Sequence, residues 1–231
     1  MVYSGKIYRN ALYALIRLLG SHEVMMDQSN GYERVAAEFL AGRGRAPSTA
    51  VGTREVRDWA RTLPLGAAVI DLGCGTGFPI TKVLVDEKLN VYGVDASPSL
   101  VAAFRRNLPE VPVACESVVE SSFFNRTFDA VVAWGLMFLL QPEEQQHLIQ
   151  SIGDILVPGG RLLFTSSTGT EPLVWNDAMT GLESRSLGAA EYRKLLAEAG
   201  IYVTREYEEV GGCHYFDAVK GTSANRQEWM G

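Results

Sequence analysis

The 231-residue sequence predicts an α/β fold built on a doubly wound, mainly parallel sheet. Three observations predict it. From about residue 67 to residue 220, short apolar runs alternate with helix-like stretches, the order that a parallel sheet with crossover helices requires. The first apolar run leads through Gly73-Cys74-Gly75-Thr76-Gly77 into a helix, at the kind of crevice where open sheets bind ligands. The alternation then yields to two consecutive strand-like runs flanking Gly211-Gly212, so the sheet is expected to have about seven strands, the last antiparallel, with helices on both faces.

The elements follow in order. Residues 67–73 read as a buried strand, 79–88 as a helix and 90–95 as a second strand. Ser97 is an N-cap and Pro98 the first helical position of a helix reaching residue 108, because a hydroxyl satisfies a free amide there and proline gives up no hydrogen bond. Residues 111–117 and 128–135 read as the third and fourth strands. Pro142 opens a helix with Glu143 and Glu144 in its first turn, where the helix dipole favours acids. Pro158-Gly159-Gly160 is a turn signal, and 161–166 the fifth strand. Residues 189–199 are helical, stopped by Gly200. Residues 201–210 and 213–220 form the closing hairpin. The first 66 residues are mainly helical, with a loop at 44–53, and read as a lid on the sheet because they have no core of their own. The whole chain, 1–231, reads as one domain: lid region 1–66, α/β core 67–220 and tail 221–231.

Composition excludes several classes. Apolar residues make up 47% and charged residues 21%, an ordinary globular balance. The net charge is −6 and the pI about 5.2, the wrong sign for a protein that grips nucleic-acid phosphates. The longest apolar run, 130–140, is too short to span a bilayer. Arg17 interrupts the apolar stretch after Lys6 and Arg9, so the N-terminus reads as an amphipathic helix and not as a signal peptide. Its stripe of Tyr3, Ile7, Leu12, Ile16 and Leu19 can pack on the core, close the pocket or form the seam of a homodimer. Cys74, Cys115 and Cys213 are odd in number and lack metal-ligand spacing, which fits a reduced, cytoplasmic setting.

The glycine turn is the most informative segment. Glycine allows a sharp turn and close approach of a ligand. A dinucleotide fingerprint would put its third glycine at position 78, which is Phe78. A phosphate-cradling P-loop would need a Lys that is absent. The pattern is D-x-G-x-G-x-G, with Asp71 at the strand end. A carboxylate there repels pyrophosphate and suits a ligand bearing an ammonium and a sulfonium. Asp95, closing the second strand, is placed to hold both hydroxyls of a ribose.

On these motifs the sequence resembles the class I S-adenosylmethionine-dependent methyltransferases. The resemblance covers about 32–220 and rests on 69–79, 91–97, 116–118, 128–135 and 156–164 in that order. It implies a Rossmann-like sheet and S-adenosyl-L-methionine as cofactor. Gly73, Cys74 and Gly75 would contact the methionine part through backbone atoms, with Asp71 beneath it. Asp95 would take the ribose hydroxyls, Ala96 and Ser97 would border the adenine, and Ser117 and Val118 would reach its edge. The family often has Asp at the place of Ser117, and Glu116 is a substitute partner for the adenine amine. Ala133 and Trp134 would flank the sulfur. Tyr32 and Arg43 resemble residues of a lid helix, the ring apt for a sulfonium and the guanidinium for the methionine carboxylate; both also fit an ordinary surface helix.

Methyl transfer needs an aligned acceptor and a dry site, and a base only if the acceptor arrives protonated. Of His22, His147 and His214, the last begins the final strand at the ligand-binding end and is the candidate base, with hairpin capping beside Tyr215 as the competing role. Trp175 and Asp177 fall in the segment after the fifth strand. Ala133-Trp134-Gly135-Leu136 is not the Asn-Pro-Pro-aromatic tetrapeptide of adenine N-methyltransferases, no Pro-Cys pair follows that strand, and no acidic metal cluster stands out. The expectation is metal-independent transfer to N, O or S of a small molecule, with no nucleic acid and no membrane as partner. A protein methyltransferase and a cofactor-binding regulatory subunit are the alternatives.

Overall fold

The computed structural model describes residues 27–42, 50–167, 169–209 and 212–222. The stripe from Tyr3 to Leu19, His22, Arg43, Gly211 and most of the 221–231 tail lie outside the described residues.

After two short helices, α1 (Ala36–Ala41) and α2 (Thr53–Ala60), strands and helices alternate: β1 (Ala68–Leu72), α3 (Ile80–Asp86), β2 (Asn90–Asp95), α4 (Pro98–Asn107), β3 (Val113–Cys115), β4 (Phe128–Ala133), α5 (Pro142–Ile155) and β5 (Leu156–Ser166). The chain continues through β6 (Leu173–Asn176), β7 (Glu183–Ser186), α6 (Ala189–Glu198), β8 (Ile201–Glu208) and β9 (His214–Lys220). Seven strands form one sheet in the order β3-β2-β1-β4-β5-β9-β8. β9 runs antiparallel to both β5 and β8, and β1 to β5 are parallel. This is the doubly wound sheet with an antiparallel last strand that the sequence predicts.

The sheet is buried on both faces, which is why its strands read as unbroken apolar runs. Val69 and Ile70 are neighbours and both fully buried, facing opposite ways. Val69 packs with Val56 and Trp59 of α2 and Val83 and Leu84 of α3. Ile70 packs with Leu148, Ile149 and Ile152 of α5 and Leu195 and Leu196 of α6. Each such side chain contributes about 1.5–3 kcal/mol by leaving water. Ser97 caps α4 by accepting from the amide of Leu100 at 3.2 Å, and Pro98 follows it. Gln141 and Glu144 form a capping box on α5.

The structure departs from the sequence reading in three places. β3 is shorter than 111–117, because Pro112 has no amide to donate and serves only as acceptor for Gly93. Pro158-Gly159-Gly160 does not precede β5 but lies inside it, where the register jumps from Phe128–Leu156 to Ala130–Arg161; the extra residues bulge out instead of ending the strand. The segment after β5 is not a plain loop, since β6 and β7 pair as a separate antiparallel hairpin. That hairpin packs by β7 on the 3-10 turn Met137–Leu139 that follows β4.

Candidate active site

At the carboxyl ends of β1 to β4 lies a cavity of about 230 Å³. Its floor is the turn after β1. The amides of Gly73 and Cys74 both donate to the carbonyl of Val94, at 2.8 and 3.1 Å, tying the turn to β2. Two glycines are dictated here. Gly73 has φ +73° and a side chain on it would press on Leu136 at 3.1 Å; Gly77 has φ +82° and would strike Leu108 at 2.7 Å. The Cys74 side chain turns away into a small cluster with Phe104 and Leu108, where burial pushes its thiol well up. What this turn offers a ligand is therefore backbone.

Two carboxylates face this floor. Asp95 accepts from the amide of Gly75 with Oδ2 at 2.8 Å and from the amide of Ser97 with Oδ1 at 2.9 Å. Each oxygen keeps lone-pair capacity, so a pair of hydroxyls fits it. Burial raises its pKa, though the two amides oppose the shift. Asp71 is buried and accepts from the Thr81 hydroxyl at 2.6 Å. Burial, with a smaller push from the charge of Asp95, raises its pKa to about 7. Among the described residues no side-chain cation bonds to either acid, so a cationic ligand group would complete Asp71.

The segment 27–42 borders the cavity. Tyr32 donates to Asp177 at 3.5 Å, Arg34 to the carbonyl of Thr180 at 2.9 Å, and Gln28 to Glu120 at 3.2 Å. Glu33 accepts from the Ser97 hydroxyl and from the amide and hydroxyl of Ser99 at the start of α4. Burial alone would raise its pKa, but these bonds hold it below the usual range. Phe39 reaches down toward Gly75. Asn30 lines the cavity, and its Nδ2 is buried without a partner among the described residues, leaving a donor for a ligand.

The lining includes Tyr32, Asp71, Gly73, Cys74, Gly75, Asp95, Ala96, Ser117, Val118 and Trp134. Trp134 is oriented by donating its ring N–H to Tyr215 at 2.9 Å. Ser97 and Ala133 are buried beside the cavity, not in its wall. Glu116 accepts from the Ser121 hydroxyl at 2.6 Å and is also outside the wall. His214 is outside it too. Along β9, Cys213 lines the cavity and Tyr215 reaches Trp134, while the alternate residues His214 and Phe216 point to the other face. The His214 ring nitrogens are engaged by Glu206 at 3.0 Å and Glu208 at 3.4 Å. The strand pleat that takes it from the cavity is a matter of register. Phe39, Phe138, Leu139 and Leu140 line the cavity without having been singled out in the sequence; only the apolar run 130–140 hinted at the last three.

A family model described as a methyltransferase domain matches residues 69–160, the segment that builds the floor and both acids. Over that segment the chain is similar to methyltransferase domains. A tRNA N(3)-cytidine methyltransferase of Danio rerio is 33% identical over 106 residues, covering 41% of this chain and 30% of that protein. A ubiquinone biosynthesis O-methyltransferase of Xanthomonas axonopodis pv. citri is 30% identical over 129 residues, covering 54% of this chain and 52% of that one. The chain thus aligns with about half or less of those relatives' lengths. In fold it matches the crystal structure of the glycopeptide N-methyltransferase MtfA complexed with S-adenosyl-L-methionine, with a TM-score of 0.61 and 21% identity, over 74% of this chain and 95% of that one.

Proposed function

We propose that this chain is an S-adenosyl-L-methionine-dependent enzyme that moves the methyl group to a nitrogen, oxygen or sulfur of a small molecule. The observation that carries the reading is the pair of acids above the glycine turn: Asp95 with two oxygens open to hydroxyls, and Asp71 buried without a cation. Asp95 would hold the ribose, Ser117 and Val118 the adenine, and Asp71 with the backbone of Gly73 and Gly75 the amino-acid end. When bound, the cofactor supplies a methyl carbon already activated by a positively charged sulfur. Tyr32 and Phe39 offer ring faces to that charge, and the lid excludes water from the site. Trp134, fixed by Tyr215, limits where the acceptor can stand.

The relative from Xanthomonas and a 27-O-demethylrifamycin SV methyltransferase of Amycolatopsis mediterranei bear names of small-molecule enzymes. The tRNA enzyme shares less of its length with this chain, and a net charge of −6 suits a small acceptor better than an RNA. We read residues 27–42 as the lid of a single domain. Cys74, Cys115 and Cys213 form no disulfide, which supports a cytoplasmic setting; among the described residues no helix is long and apolar enough to cross a membrane. Incubation with methyl-labelled cofactor and fractionated small-molecule, RNA and protein extracts tests the proposal. Label in the small-molecule fraction is expected; label only in RNA or protein, or binding without turnover, contradicts it.

A further inference from the structure

Building on that methyl-transfer reading, we infer that the acceptor is a hydrophobic amine and that Asp177 selects it. The cavity has two halves. Asp95, Ala96, Ser117 and Val118 belong to the ends of β2 and β3, and the glycine turn to β1, which leaves the space over β4 for the acceptor. That space is bounded by Trp134, Phe138, Leu139 and Leu140 from below and by Tyr32 and Phe39 of the lid. Its apolar walls call for an apolar body.

The charged groups decide the rest. Among the described lining residues there is no Arg, Lys or His, and the carboxylates are Asp71, Asp95 and Asp177. An anionic acceptor would meet these acids with no compensating cation. Asp71 and Asp95 sit in the cofactor half, so Asp177 is the acid of the acceptor half. It stands on the β6–β7 hairpin, which packs above the end of β4. Its Oδ1 is used by its own turn, accepting from the amides of Met179 and Thr180 at 2.9 and 2.8 Å and from the Thr180 hydroxyl at 3.1 Å. Among the described residues its Oδ2 has only the Tyr32 hydroxyl, at 3.5 Å. The nearby Arg34 guanidinium donates to the carbonyl of Thr180 and does not line the cavity. The hairpin thus holds one carboxylate oxygen rigidly over the acceptor space with its hydrogen-bonding capacity almost unused.

An amine uses that oxygen twice. It binds as the ammonium, donating to that oxygen, and gives up one proton to water before it reacts. As the nitrogen lone pair forms the new bond to the methyl carbon and the carbon–sulfur pair returns to sulfur, one positive charge leaves sulfur and appears on nitrogen. A fixed anion stabilises charge that develops there, and the product leaves as the methylated ammonium. A hydroxyl acceptor ends neutral after losing its proton and draws no such benefit.

Binding of 2-phenylethylamine, 2-phenylethanol and phenylacetate to the full chain saturated with S-adenosyl-L-homocysteine tests this, because the three differ only in head group. The amine is expected to bind at least about tenfold tighter than the other two. Asp177→Asn should abolish that preference and leave S-adenosyl-L-homocysteine affinity unchanged, since asparagine retains an oxygen for the amides of Met179 and Thr180. Equal or absent binding of the three compounds, or a preference that survives Asp177→Asn, overturns the inference. Failure of the unmutated chain to bind S-adenosyl-L-homocysteine overturns instead the reading on which it rests.

Discussion

Asp71→Asn should make the ligand-free protein more stable at pH 8 while crippling its site. Asp71 is 2% exposed, and among the described residues its only hydrogen-bond donor is the Thr81 hydroxyl. Burial lifts its pKa from 3.8 to about 7. Between those two values the folded chain keeps a proton that the unfolded chain has released, so this group's contribution to stability falls as pH rises through that window. Above pH 7 the carboxylate is ionised in both states, and the rise from 3.8 to about 7 corresponds to roughly 3–5 kcal/mol of destabilisation. Asparagine is isosteric, can accept from Thr81 and does not titrate. Urea denaturation of both proteins without cofactor, at pH 5 and pH 8, isolates the effect, because the pH dependence of every other group cancels in the difference to first order. The variant is expected to gain about 2–3 kcal/mol more at pH 8 than at pH 5, and to bind S-adenosyl-L-methionine at least about tenfold more weakly for want of a counter-charge. An advantage that is the same at both pH values, or absent at pH 8, refutes the idea that an ionised, uncompensated Asp71 strains the empty site.

The same linkage predicts that cofactor binding releases protons near pH 7, as a cationic ligand pulls Asp71 into its charged form. Calorimetry in buffers of different ionisation enthalpy reads the number directly, and zero release contradicts the assignment. Asp95→Ala should weaken cofactor binding by roughly 1–3 kcal/mol through lost charge-assisted hydrogen bonds; unchanged affinity in a titration would remove Asp95 from the ribose site. Glu33→Ala unlatches the lid from Ser97 and Ser99, so hydrogen exchange across 31–41 should speed up and cofactor dissociation with it, by about tenfold. A lid as protected as before would show that Glu33 is not what holds it. Gly77→Ala, at φ +82° and against Leu108, should lower stability by about 1–3 kcal/mol; an unaltered melting temperature would mean the turn can relax.

The parts of this molecule written in local chemistry were legible in its sequence. The glycine turn, the acids at the ends of β1 and β2 and the Ser97 cap each depend on residues a few positions apart. The antiparallel closing pair was legible from Gly211-Gly212 and the apolar runs beside it. What was not legible depends on pairing or parity. Glu-Ser-Arg-Ser of β7 has no apolar alternation, and Leu173 and Val174 of β6 are exposed, so nothing in either segment announces a strand. His214 was placed at the right end of the sheet, but the pleat of β9 turns its side chain away and gives the cavity to Cys213 instead. Asp177 was visible only as an acid in a long segment; its turn bonds and its place opposite Tyr32 come from the hairpin.

The central claim is that the crevice above Gly73–Gly77 accepts an adenosyl amino acid with Asp95 on its sugar. Amide exchange of the purified chain, measured with S-adenosyl-L-homocysteine and with a nicotinamide dinucleotide in parallel, tests it most directly. Saturable protection of Gly75 and of the lid at 31–41 by the first compound alone is the result expected. No protection, or stronger protection by the dinucleotide, would contradict it.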